Sequence, residues 1–141
     1  MSKRELICDN IVTTLRDLSE TTFVTRQPFK FEELSNAQFP ACLVQTGAET
    51  REDRTIGGSD IQRVSDLTIR IVGFVKGSSI DSARNELIEA IENGLDADRT
   101  RGGYALDTQV VEVETDEGTI EPLGGIVVTV SVLYTYARGN A

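Results

Sequence analysis

The chain has 141 residues, of which 39% are hydrophobic and 26% are charged, a composition typical of one folded domain rather than of a disordered segment. Lysine and arginine number 14 against 23 acidic residues, and the formal charge of -9 argues against a large surface that attracts nucleic-acid phosphates or anionic lipids. No apolar run approaches the roughly 20 residues that cross a bilayer, and no signal peptide is evident. We therefore expect that the protein is made in the cytoplasm and does not associate with a membrane.

The first predicted element is an amphipathic helix over residues 3–19. Its apolar positions recur at spacings of three and four: Ile7, Ile11, Leu15 and Leu18. A short β-prone stretch at 21–26 follows, and then an irregular segment. The apolar run at 41–46, bounded by a proline and a glycine, predicts a buried strand.

Residues 47–60 carry mixed charges and three glycines without an apolar period, which predicts an extended charged loop. Fourteen unstructured residues between two strands are uncommon in a compact domain unless they have a function. A floppy surface loop is one explanation. The other is an arm that docks on a neighbouring subunit through ion pairs. The residues predicted for that subunit interface are Glu49, Arg51, Glu52, Asp53 and Arg54.

A strand over 63–76 is predicted next, with one apolar face made of Leu67, Ile69, Ile71, Gly73 and Val75. A second helix begins near a capping box at Ser78 and Asp81 and ends at Asn93-Gly94. Its apolar stripe is Ile80, Ala83, Leu87, Ile88, Ile91 and Leu95. Strands over 106–115 and 126–137 follow, joined by a turn at 116–118, and the last of them is rich in β-branched residues.

This order predicts an α+β two-layer sandwich, in which a mainly antiparallel sheet carries two helices packed on one face. We expect the whole chain, 1–141, to form one domain, with a protruding arm at 47–60. The other face of the sheet is expected to be partly apolar, through Val72, Phe74, Val127 and Leu133. A monomer rarely leaves such a surface open, so a second layer or a partner subunit is expected to cover it.

The residue types that carry most hydrolytic chemistry are scarce. The chain has no histidine, which removes the commonest general base, triad member and transition-metal ligand. The two cysteines, Cys8 and Cys42, are too few and too widely spaced for a disulfide framework or a zinc site, and they favour a reducing compartment. We predict that both are buried hydrophobes and that the chain has no catalytic residue and no cofactor.

Three groups of carboxylates could in principle hold Mg²⁺ or Ca²⁺. They are Glu49, Glu52 and Asp53; Asp96 and Asp98; and Glu112, Glu114, Asp116 and Glu117. None has the spacing of an EF-hand loop, and solvated faces are the commoner explanation, so no metal site is predicted. The glycine pairs at 57–58, 102–103 and 124–125 match neither a P-loop nor a dinucleotide fingerprint and are predicted to be turns and hinges.

The layout resembles the tail terminator (tail completion) proteins of long-tailed bacteriophages. The features that carry the resemblance cover nearly the whole chain: an opening helix at 4–19, the stretch 39–44 leading into a strand, a charged arm, the strand 65–75, a helix begun by Ser79-Ile80-Asp81, and closing strands that end at 133–136. The resemblance implies a hexameric ring in the virion tail or neck, made in the host cytoplasm. The ring would bind the tail tube protein and a head completion or connector protein, without an enzymatic step.

The resemblance also implies a central channel through which DNA passes without specific binding. Acidic side chains on the channel wall would keep phosphates from adsorbing. The residues predicted for that wall are Glu112, Glu114, Asp116 and Glu117, with solvent-facing strand charges as the alternative. Another neck component, such as a head completion or head-tail connector protein, is an alternative function. A small carboxylate–metal enzyme and a monomeric adaptor domain are further alternatives.

Overall fold

The computed structural model describes residues 2–29, 33–53, 62–77, 79–115 and 123–139. Within these ranges two α-helices and five strands follow one another along the chain. They are α1 (Lys3–Arg16), β1 (Phe23–Thr25), β2 (Ala41–Asp53), β3 (Gln62–Lys76), α2 (Ile80–Asp96), β4 (Asp107–Thr115) and β5 (Leu123–Ala137). Neither helix is long and apolar enough to cross a membrane.

The five strands form one sheet in the order β1-β2-β3-β5-β4. The short strand β1 pairs with the start of β2 in parallel, whereas the β2–β3, β3–β5 and β5–β4 pairs are antiparallel. The prediction of an α+β fold with a mainly antiparallel sheet and two helices is confirmed.

One face of the sheet and both helices bury their apolar residues in a single core. From β3 and β5 the core takes alternate residues, as period-2 strands require: Leu67, Ile69, Ile71, Val75, Ile126, Val128, Val130 and Val132. From the helices it takes residues at helical spacing: Ile7, Ile11, Leu15, Leu87, Ile91 and Leu95. These are the faces that the sequence pattern predicts, and the two-layer arrangement follows from them.

Two predicted boundaries are wrong because a glycine serves close packing there instead of a turn. The second helix does not end at Gly94 but continues to Asp96. A Cβ at Gly94 would lie 2.9 Å from Cδ2 of Leu18, so the glycine lets the segment after α1 approach the helix. Gly124 lies inside β5, where a Cβ would lie 2.5 Å from Cγ2 of Ile80.

The other glycine pairs and the predicted helix start can be placed in part. Gly102 and Gly103 have positive φ and form the turn that the sequence predicts, and the pair at 57–58 lies outside the described residues. The N-cap of α2 is Ser79, whose side chain makes no capping hydrogen bond. Ser78 of the predicted capping box lies outside the described residues, as does the predicted turn at 116–118.

The prediction of a loop at 47–60 is wrong over its first part, because residues 47–53 are strand. The strand β2 does not end at residue 46 but continues to Asp53, and its far half pairs with β3 through positions such as Arg51 with Ser65 and Asp53 with Arg63. The ladder shifts register between Thr46 and Glu49, where extra residues are accommodated as in a β-bulge. Residues 54–60 lie outside the described residues.

Candidate assembly surfaces

The base of the β2–β3 hairpin contains a buried carboxylate. The Glu49 side chain is only 4% exposed, although it lies in a strand segment without large hydrophobic residues. It accepts a hydrogen bond of 2.8 Å from the Tyr134 hydroxyl and another from the Arg51 guanidinium, and Arg4 of α1 lies 3.5 Å away. Three elements, α1, β2 and β5, therefore meet on this one carboxylate.

Electrostatics keeps Glu49 ionised in this position. Burial by itself raises the pKa of Glu49, but hydrogen bonds from Arg51 and Tyr134 and the charge of Arg51 outweigh that effect, so the pKa lies below its usual value of 4.5. The Arg51 guanidinium carbon also lies 4.9 Å from the centre of the Tyr136 ring, a cation–π contact. A hydrogen bond also joins the start of α1 to β5 near this cluster, since Lys3 Nζ donates to the Thr135 carbonyl at 2.6 Å.

The predicted arm residues divide into two groups. Glu49 and Arg51 make their contacts within the subunit. Glu52 and Asp53 are exposed, and Asp53 lies 3.1 Å from the Arg63 guanidinium of the paired strand. Arg54 lies outside the described residues. Docking of this hairpin on a neighbouring subunit stays a prediction.

Two of the predicted channel residues lie on β4. Glu112 and Glu114 are exposed and stand opposite Thr129 and Val127 of β5, on the sheet face away from the helices. Hydrogen bonding and charge repulsion from Glu114 raise the pKa of Glu112. Asp116 and Glu117 lie outside the described residues, and the channel role of all four stays a prediction.

The face of the sheet opposite the helices carries an open, largely apolar groove of about 320 Å³. Val72, Phe74 and Val127 line it, with Glu114 at its side, and all three apolar residues are half-buried. Phe29 covers part of this face, with its ring centre 5.8 Å from that of Phe74. The apolar residues predicted for this face therefore lie there.

The large hydrophobic side chains that the described residues expose lie on or beside β4. They are Tyr104, Leu106, Val111, Val113 and Leu133. The backbone N–H of Leu106 donates a hydrogen bond to the carbonyl of Leu133, so these two residues are neighbours although they lie far apart in the sequence. Of these five residues, the sequence pattern predicts only Leu133 for an exposed apolar face. Valines in a predicted strand normally indicate buried positions. Only the order of the strands in the sheet shows that β4 is an edge strand.

The cysteines and carboxylates offer little reactive chemistry. Burial raises the pKa of Cys8, and it raises the pKa of Cys42 to about 12, so both thiols stay protonated at neutral pH. Both are free and buried, as predicted. In the part of the chain that the structure describes, no three His, Cys, Asp or Glu side chains group in a way that could hold a metal ion.

We expect neither native thiol to react with an aromatic disulfide reagent while the protein is folded, because the thiolate is the nucleophile and both sulfurs are buried. Both should react after unfolding in urea, which a spectrophotometric thiol assay measures. A Glu86→Cys variant is the control, since position 86 on α2 is exposed and its thiol should react at once. Fast labelling of the unaltered folded protein would contradict this assignment.

Comparison with known proteins gives a likeness in structure alone. No protein family matches the sequence, and no curated protein does. Among solved structures, the chain is similar to a chain from the virion of a native gene transfer agent particle, with a TM-score of 0.51 and 12% sequence identity. The match covers 89% of this chain and 92% of the other. This fold therefore occurs in a virion. The correspondence spans nearly the full length of both chains, so it is not confined to one motif.

Proposed function

We propose that this chain is a structural subunit of a phage tail, which forms a ring that caps the tail tube and joins it to the head while DNA passes through. The observation that carries the proposal is the fold, which over 89% of the chain matches a chain of a virion particle. In this function the ring, expected to be hexameric, contacts the tail tube protein on one side and a head completion or connector protein on the other.

The chemistry of the described residues supports a role in assembly. A ring subunit acts through shape and through several weak contacts at once, so it needs exposed apolar surface more than reactive groups. The chain has such surface on the groove face and beside β4. The net charge of -9 disfavours adsorption of DNA, as a conduit for DNA requires.

The test is to mix the purified protein with tail tubes of its own phage and to locate it by negative-stain microscopy with a gold label. We expect label at the head-proximal end of the tubes and an end to further tube growth. In a parallel sample, DNA-filled heads that lack tails replace the tubes. Capture by the heads alone would favour the other neck components, and binding to neither particle would contradict a role in the tail or neck.

A further inference from the structure

The sheet has two open edges among the described residues. At one edge, β4 pairs only with β5, so its other side is free over nine residues. At the other edge, β1 covers β2 only at Ala41–Leu43, and the stretch from Val44 to Asp53 has no strand beyond it. A free edge presents unpaired N–H and C=O groups that can pair with another chain.

The directions of these two edges match each other. The strands β2, β3, β5 and β4 are four in number and antiparallel at each step, so β2 and β4 run in opposite directions. If a second copy is set beside the first in the same orientation, its β2 lies antiparallel to β4 of the first. The sheet then continues from copy to copy without a break in its alternation. Such a contact joins two different surfaces, and contacts of this type generate rings when the rotation closes.

The apolar surface on β4 favours this contact. Val111 is 57% exposed and Val113 is exposed beside it, on a strand whose register shifts between Val110 and Glu112. Exposed valines on a long edge strand are a hazard for a monomer, and a neighbouring strand removes that hazard by covering them. The other exposed hydrophobics, Tyr104, Leu106 and Leu133, lie beside the start of β4.

Charge favours the register in which the two free stretches overlap completely. In that register the acidic pair Glu112 and Glu114 lies beside the uncharged residues 44–48 of the neighbouring β2. At the other ends of the strands, Asp107 comes beside Glu52, which lies on the same face of the sheet. The Asp107 carboxylate already has a cation in its own subunit, since it lies 2.6 Å from the Arg99 guanidinium.

We propose that β4 of one copy adds as an antiparallel strand to the free stretch 44–53 of β2 in a second copy, so that the sheets of neighbouring subunits are continuous. This inference deepens the proposed function and rests on it for the closed ring. The partner is a second copy of this chain because both edges come from the same sheet, run in opposite directions and have nearly the same length.

The test uses two exposed positions that the overlapping register brings together, Glu112 in β4 and Ala48 in β2. The single variants Glu112→Cys and Ala48→Cys are mixed and treated with a short bis-maleimide. This reagent does not reach the native cysteines, because both are buried. We expect a cross-linked dimer in the mixture and none with either variant alone. The doubly substituted chain should give a ladder that stops at the ring size. Glu86→Cys, an exposed position on α2, replaces Glu112→Cys in the matched control and should give no product.

A second variant, Val111→Lys, places a charge on the edge without touching the core. Its self-association constant, from sedimentation or light scattering, should fall about tenfold or more while its thermal midpoint stays unchanged. Cross-linking of Glu112→Cys with itself would overturn the proposal in favour of a β4–β4 contact. Oligomers without the 112–48 product would overturn the edge contact but leave the ring function standing. If the cross-linked ladder forms but the assembled rings bind no tail tube, the edge contact would be supported and the proposed function would be contradicted.

Discussion

Replacement of Arg101 by alanine should lower the free energy of unfolding by about 3 kcal/mol, as measured by urea denaturation. The Arg101 side chain is fully buried, and its guanidinium donates hydrogen bonds to the carbonyls of Leu95 and Asp98 at the end of α2. Those carbonyls have no further helical turn to satisfy them. Alanine would leave them without these donors and would leave a cavity in place of a long side chain.

The matched control for this prediction is Arg99→Ala. Arg99 lies two residues earlier in the same loop, but its side chain is 57% exposed and its partner is the Asp107 carboxylate. An exposed ion pair contributes little to stability, so this variant should unfold close to the unaltered protein. Equal losses for Arg99→Ala and Arg101→Ala would contradict the assigned role of Arg101.

The backbone at position 101 gives an internal check. Arg101 has φ of 51°, in the left-handed region that glycine adopts more readily than other residues. Arg101→Gly loses the same guanidinium as Arg101→Ala but relieves that strain, so it should be the more stable of the two by about 1 kcal/mol. The opposite order would mean that the side-chain contacts do not hold the loop in a strained conformation.

Glu49→Gln should lower the free energy of unfolding by about 2 kcal/mol at pH 7, because it leaves the partly buried Arg51 and Arg4 next to a neutral amide. The effect should depend on pH. The pKa of Glu49 is depressed in the folded state, so its ionised form stabilises the fold above the usual value of 4.5. That stabilisation is lost as the pH falls through the lowered pKa of the folded protein.

The measurement is urea unfolding of both proteins between pH 7 and pH 3. The two stability curves should converge toward the acid end, where the native carboxyl is protonated and resembles the amide. The control is Glu52→Gln, an exposed position in the same strand, which should follow the unaltered protein at every pH. A difference between Glu49→Gln and the unaltered protein that stays constant down to pH 3 would exclude a depressed pKa as the cause.

Sequence pattern predicts the core of this protein well because the core is aliphatic and strictly periodic. The alternation in β3 and β5 and the helical spacing of Leu87, Ile91 and Leu95 each fix which face is buried. Where a polar cluster takes the place of the apolar face, the same method fails. Glu49 and Arg51 occupy inward positions of β2, so the segment has no hydrophobic alternation and resembles a loop.

The importance of Arg101 could not be read from the sequence for a related reason. It lies in a charged segment next to two glycines, where every side chain looks solvated. The available signal was indirect: the end of a helix exposes carbonyls that need donors, and an arginine just beyond the end can supply them. The free edges of the sheet could not be predicted from the sequence either, because they depend on the strand order and not on any single strand.

The central ladder of the sheet has a consequence for how the polypeptide reaches its native state. It joins β3 to β5, from Lys76 opposite Leu123 to Gln62 opposite Ala137, so α2 and β4 must lie between the two partners along the chain. Contacts between such distant segments require a large loop to close first, and domains dominated by them fold more slowly than helical bundles. During synthesis on the ribosome, β3 emerges long before the strand that completes its pairing. Until then its aliphatic face is available to chaperones or to another nascent chain.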